Sequence, residues 1–99
     1  MKMIDPTAMS RFTALREAAG KIDRLVPHVR LMEQPPHESR DTASVALEFP
    51  TPLVVLNSTI RQALALLFSA CDTVQTDKTE CGICFTFTVS KMWVTEDAE

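Results

Sequence analysis

The sequence predicts one small α+β domain, and three observations carry that prediction. They are an N-terminal run with helical periodicity, an unusually apolar helix at about Thr59 to Val74, and a late segment whose apolar residues alternate. A chain of 99 residues is read as a single domain, 1–99. Folding at this length buries between about 60 and 70% of the surface exposed by the unfolded chain, so the 45% apolar residues have to form one core. The expected architecture is a long or bent N-terminal helix, a small two- to three-stranded sheet and a buried central helix. Flexible ends are expected at about 1–4 and 95–99, and an exposed connector at about 33–42.

Asp5-Pro6 starts the first helix, because a carboxylate can accept from an unpaired amide and proline fits where its missing N–H is not needed. Ala8, Phe12, Leu15, Ala19, Ile22, Val26 and Val29 then recur at threes and fours, and place a stripe about 100° wide on one side. Pro27 removes a backbone donor and clashes with the preceding turn, so the stripe predicts one bent helix or two in tandem. The segment from Glu33 to Asp41, with Pro35-Pro36 inside it, reads as the connector.

In Ser44–Phe49 the residues Val45, Leu47 and Phe49 share one face, as in a half-buried strand that Pro50 and Pro52 end. Leu53–Leu56 fits either a short strand or a buried run. Thr59 followed by Gln62 matches a capping box for the central helix. Its apolar residues, from Ile60 to Val74, span an arc of roughly 200° at 100° per residue, which predicts cover on two sides. Gln75–Glu80 reads as a polar turn. Ile83, Phe85, Phe87 and Val89 alternate with Cys84, Thr86, Thr88 and Ser90 in the clearest strand, closed by Trp93 and Val94 before the tail Glu96–Glu99.

The net charge of −3 conceals an asymmetry. Residues 1–40 carry seven Lys/Arg against five Asp/Glu, and residues 41–99 carry three against eight. The total has the wrong sign for a general phosphate-backbone binder. On the first helix Arg11, Arg16, Lys21, Arg24 and Arg30 are interleaved with Glu17, Asp23 and Glu33, the pattern of a solvated face in which Glu17 can pair with Lys21 one turn on. Nucleic acid is therefore not the expected partner. The N-terminus lacks the apolar run of a signal peptide, and the longest apolar stretch, Leu53 to Cys71, is interrupted by Asn57, Arg61 and Gln62, so no membrane association is expected. Three cysteines without an export signal point to free thiols in a reducing cytoplasm.

Cys81-Gly82-Ile83-Cys84 has the spacing of a zinc-gripping pair. In a strand the two thiols would face opposite sides, and only Cys71, His28 and His37 remain to complete a site. Free thiols are the preferred reading, with Cys71, Cys81 and Cys84 kept as metal candidates. A redox dithiol would need its first cysteine at a helix start, and here a strand follows. His37-Glu38-Ser39-Arg40-Asp41 resembles half a metalloprotease motif but lacks the second histidine and follows two prolines. Gly20 and Gly82 are too far apart for a phosphate-cradling loop, and no serine stands in a nucleophile elbow.

The chain therefore reads as non-catalytic, without a cofactor, and as a module that binds another protein. The expected role is that of a small cytoplasmic regulator or inhibitor. Phage-encoded inhibitors, anti-CRISPR proteins among them, share this size and composition, as do many bacterial accessory proteins. The alternatives are a small zinc-stabilised module and a nucleic-acid-binding regulator using the basic first helix. Leu64, Leu67, Phe68, Cys71 and Trp93 are the expected interaction residues. A homodimer, joined edge to edge or through the central helix, would cover the surplus apolar arc and the unpaired edge expected of the last strand; equally, the N-terminal helix could cover the arc within one chain.

Overall fold

The computed structural model describes residues 2–50, 57–80 and 82–95, and these form two helices and six strands of the α+β class. Strand β1 (Lys2–Ile4) leads into helix α1 (Pro6–Leu25). The Asp5 carboxylate caps α1 by accepting from the Ala8 amide at 3.2 Å, and Pro6 takes the first turn, as the sequence predicts. The helix buries Ala8, Phe12, Leu15, Ala18, Ala19 and Ile22 along one stripe. Full burial of side chains such as Phe12, Leu15 and Ile22 contributes about 1.5–3 kcal/mol each.

The helix does not bend at Pro27; it stops before it. A residue preceding proline is driven out of the α region, and Val26 is extended at φ −109°, ψ 117°. His28 then takes a left-handed φ of 66°, which turns the chain so that Val29 enters the core from a loop instead of from the helix.

Strand β2 (Arg30–Gln34) follows and overlaps the expected connector. Strand β3 (Ala43–Pro50) is as predicted, with Ala43, Val45, Leu47 and Phe49 all buried. Helix α2 (Ser58–Ala70) differs from its prediction at both ends. Its cap is Asn57, whose side chain accepts from the Thr59 amide at 2.7 Å and the Ile60 amide at 3.4 Å, so the capping box at Thr59 and Gln62 is not used. At the far end the chain leaves the helix after Ala70. The Asp72 amide bonds the Thr88 carbonyl at 2.8 Å, which pulls the β-branched pair Thr73-Val74 into a strand.

Strand β4 (Thr73–Lys78) therefore stands where the sequence predicts the end of a helix and a polar turn. It pairs with β5 (Gly82–Val89), the strand predicted from alternation. A left-handed Lys91, at φ 56°, separates β5 from β6 (Trp93–Thr95). The sheet is larger than the expected two or three strands: β2, β3, β5 and β4 lie in that order, all antiparallel. A second, two-stranded sheet pairs β1 with β6, so Lys2–Ile4 is hydrogen-bonded within a sheet. The Leu53–Leu56 reading, Cys81 and the tail Glu96–Glu99 lie outside the described residues.

Both helices lie on one face of the four-stranded sheet. Helix α1 crosses β2, β3 and β5, and α2 packs against α1 and reaches β5. On the opposite face Ser44, Ala46, Cys84, Thr86 and Thr88 are half-buried, and Glu48 is reached by Arg30 at 3.6 Å. The hydroxyl-rich side of the β5 alternation is this helix-free face.

Candidate interaction surface

The candidate surface is the outer flank of α2 together with β4. Helix α2 turns Ile60, Ala63 and Leu67 into the core, while Leu66 is 42% and Phe68 50% exposed. Among the described residues, cover on two sides, as the arc predicts, is thus not found: α1 and the sheet bury one stripe and leave the neighbouring one open. Phe68 closes this stripe edge-on against Phe87 at 5.2 Å and Phe85 at 6.1 Å. Phe85 in turn meets Phe49 edge-on at 5.8 Å, so the exposed ring stands on a chain of rings that runs into the core.

Val74 and Ile83, 36% and 40% exposed, extend the apolar surface onto the sheet. The register pairs Val74 with Phe87 and Lys78 with Ile83. Residues directly opposite in an antiparallel pair share a face, so Val74, Ile83, Phe85 and Phe87 all lie on the helix side. At the end of this hairpin a concavity of about 520 Å³ is lined by Ile83 and Phe85 and by Thr76–Glu80. Every residue of β4 is exposed, and among the described residues β5 is its one partner in the sheet.

The expected interaction residues are dispersed. Leu67 is 0% exposed and has no surface to offer. Leu64 is half-buried and packs on the core. Phe68 stands at the centre of the exposed flank. Trp93 lies in the other sheet, where its indole N–H donates to the His37 carbonyl at 2.9 Å. Cys71 ends α2, and burial raises its thiol pKa above the ordinary value. Val74, Ile83 and Phe85 were not expected here. Alternation alone assigns the two β5 residues to a buried face, and nothing in the sequence shows that α2 stops short of covering it.

Beside Cys71 a polar node ties the flank to α1. The Arg11 guanidinium donates to the Ala70 carbonyl at 2.9 Å and pairs with Asp72, which also accepts from the Ser90 amide at 2.8 Å. The hydrogen bond from Arg11, followed by those from Ser90, holds the Asp72 carboxyl below its ordinary pKa.

The other motifs have structural roles. Gly82 of the Cys81–Cys84 segment lies so close to β3 that a Cβ there would stand 1.9 Å from the Phe49 carbonyl oxygen. Cys84 faces the helix-free side between Glu48 and Asp77 in the cross-strand row. Among the described residues no three His, Cys, Asp or Glu side chains converge as a metal site would require. The His37 segment forms a turn: the Ser39 amide donates to His37 Nδ1 at 3.1 Å, and the Arg40 guanidinium donates to the Pro35 carbonyl at 2.6 Å. Of the basic residues expected on the first helix, Arg30 stands in β2 instead, because α1 ends at Leu25 ahead of Pro27; Arg11, Arg16 and Arg30 pair with Asp72, Glu33 and Glu48, and among the described residues the expected Glu17–Lys21 pair is not formed. Among the described residues no helix is long and apolar enough to cross a membrane.

These features define the class: an α+β domain with two helices on one face of an antiparallel sheet and an exposed apolar flank beside one edge. No protein-family model, curated protein or solved structure matches the chain.

Proposed function

We propose that this chain is a non-catalytic protein-binding module, a small regulator or inhibitor that occludes or scaffolds the surface of a partner protein. The observation that carries this reading is that exposed Phe68, Val74 and Ile83 and half-buried Phe85 lie on one side of the sheet, beside an edge of β4 that is unpaired among the described residues. Exposed apolar surface costs free energy in water, and a strand edge offers backbone donors and acceptors. Together they supply the apolar contact and the directional bonding used in strand-addition recognition.

The test is affinity capture with the wild-type chain and with Phe68→Ser, from cells that make the protein. The reading expects a stoichiometric protein retained by wild type and lost by a variant that still unfolds cooperatively. Retention of only nucleic acid or a small ligand, or capture indifferent to Phe68→Ser, would overturn it.

A further inference from the structure

We infer that a second copy of this chain occupies the β4 edge, pairing β4 with β4 in antiparallel fashion about a two-fold axis at Thr76. The inference rests on the reading of this flank as a binding surface and assigns the occupant of its edge.

The phase of the β4–β5 ladder decides which backbone groups are free. The Thr79 amide bonds the Gly82 carbonyl at 2.8 Å, and the register pairs Asp77 with Cys84, Gln75 with Thr86 and Thr73 with Thr88. In an antiparallel ladder the residues of one strand alternate between facing the partner strand and facing away. Thr73, Gln75 and Asp77 therefore spend their N–H and C=O groups on β5, and those of Val74, Thr76 and Lys78 point outward.

A second β4 can use these groups only in registers that set outward residues against outward residues. An axis at Thr76 opposes Thr76 to its own copy and Val74 to Lys78 twice, which engages every outward group. An axis at Gln75 leaves the Lys78 groups without a partner. Axes at Asp77 or Lys78 set like charges directly opposite each other, which is destabilising. Within β4 the Thr76 register sets no charge against its like; Asp72 and the copy's Glu80 come opposite only beyond the ends of the strand. On the helix-free face Gln75 meets the partner's Asp77 as amide against carboxylate, the pairing these two side chains already make within one chain at 3.4 Å. Glu80 lies beyond the strand, in the hairpin turn.

The edge carries charge at Asp77 and Lys78, which in this register oppose Gln75 and Val74 of the second copy, and is otherwise open. Strand β4 contains no proline, and its side chains point to solvent. At the other edge, β2 is followed directly by Pro35-Pro36 and carries Arg30 and Glu33, both in ion pairs. The half-exposed Phe68 and Val74 flank β4 on the helix side, so pairing places apolar surface beside the new ladder. A two-fold contact of this kind is closed and cannot propagate.

Sedimentation equilibrium at tens of micromolar, under reducing conditions, tests the assignment. The wild type is expected at twice the 11.0 kDa chain mass. Thr76→Pro deletes one outward N–H and no bond within the chain, and it should sediment as a monomer that unfolds as cooperatively as wild type. Thr76→Lys places two ammonium groups across the axis and should weaken the dimer at least tenfold, with partial recovery at high salt. A monomeric wild type, or a dimer indifferent to both variants, would overturn the inference. A monomer that still captures a different protein through Phe68 would remove the second copy and leave the binding function standing. A dimer that captures nothing would do the reverse.

Discussion

The two glycines of the chain should respond to alanine in opposite directions. A Cβ at Gly82 would stand 1.9 Å from the Phe49 carbonyl oxygen, 2.9 Å from its carbon and 3.1 Å from the Pro50 carbon. All three atoms are backbone, so no rotamer change relieves the clash; β3 and β5 must move apart by roughly 1.5 Å to restore an ordinary contact of 3.4 Å to the Phe49 oxygen. Overpacking of this kind costs about 1–3 kcal/mol, against a gain of about 0.4–1 kcal/mol from a stiffer unfolded chain. Gly82→Ala should therefore destabilise by about 1–2 kcal/mol. Gly20 lies inside α1 with nothing within 4 Å of where a methyl group would stand and no positive φ. There the same substitution only removes the helical penalty of glycine, a gain of about 0.5–1 kcal/mol. Urea denaturation measures both, read as a shift in midpoint at unchanged slope. In thermal unfolding each kcal/mol is about 4–8 °C for a domain of this size. A neutral Gly82→Ala would refute the close approach of β5 to β3, and a destabilising Gly20→Ala would refute the open surroundings of α1.

The remaining predictions concern the α2–β4 junction. Because the folded-state pKa of Asp72 is depressed, its contribution to stability is present above the ordinary carboxylate range and is lost as pH falls through the folded value. Asp72 and Arg11 are each about one-third exposed, so the contribution is about 0.5–1 kcal/mol. The stability difference between wild type and Asp72→Asn should close as pH falls below the ordinary carboxylate value of 3.8, and a difference that stays constant through the acid titration would remove the Arg11–Asp72 account. Leu67→Ala should cost about 2–5 kcal/mol, as for a fully buried leucine, whereas Leu66→Ala, at an exposed neighbour, should cost under about 1 kcal/mol. Equal losses in chemical denaturation would restore the wider buried arc predicted from sequence.

Elements that bury a periodic face were legible in the sequence. The α1 stripe and the alternations of β3 and β5 declare themselves because one side of each meets the core. Strands β2 and β4 did not, since an edge strand with almost no buried side chain has no period to display: Arg30–Gln34 half-buries only Leu31, and Thr73–Lys78 buries nothing. The end of α2 was obscured for a related reason. Val74 continues the helical spacing of the apolar residues, and only the distant Thr88 and Ser90 draw this segment into the sheet. Phe68 could be placed at the margin of an apolar arc from sequence alone. That it would close onto Phe87 and Phe85 of β5, instead of under a second covering helix, depended on tertiary packing that leaves no local mark.

The pairing of Lys2 with Thr95 joins two stretches that nearly the whole described chain separates. Closing so long a loop carries the largest entropic penalty of any contact in the fold, and a strand of three residues on either side returns little for it. The β1–β6 ladder should therefore assemble last and open first, exchanging its amide hydrogens well before those of β3 and β5. Because the turn at His37 is held by the Trp93 indole and by Lys2 Nζ, which donates to the Glu38 carbonyl at 3.2 Å, that opening would release the turn as part of the same unit. The fold thus contains a clasp of low local stability, set apart from the sheet that carries the exposed apolar flank.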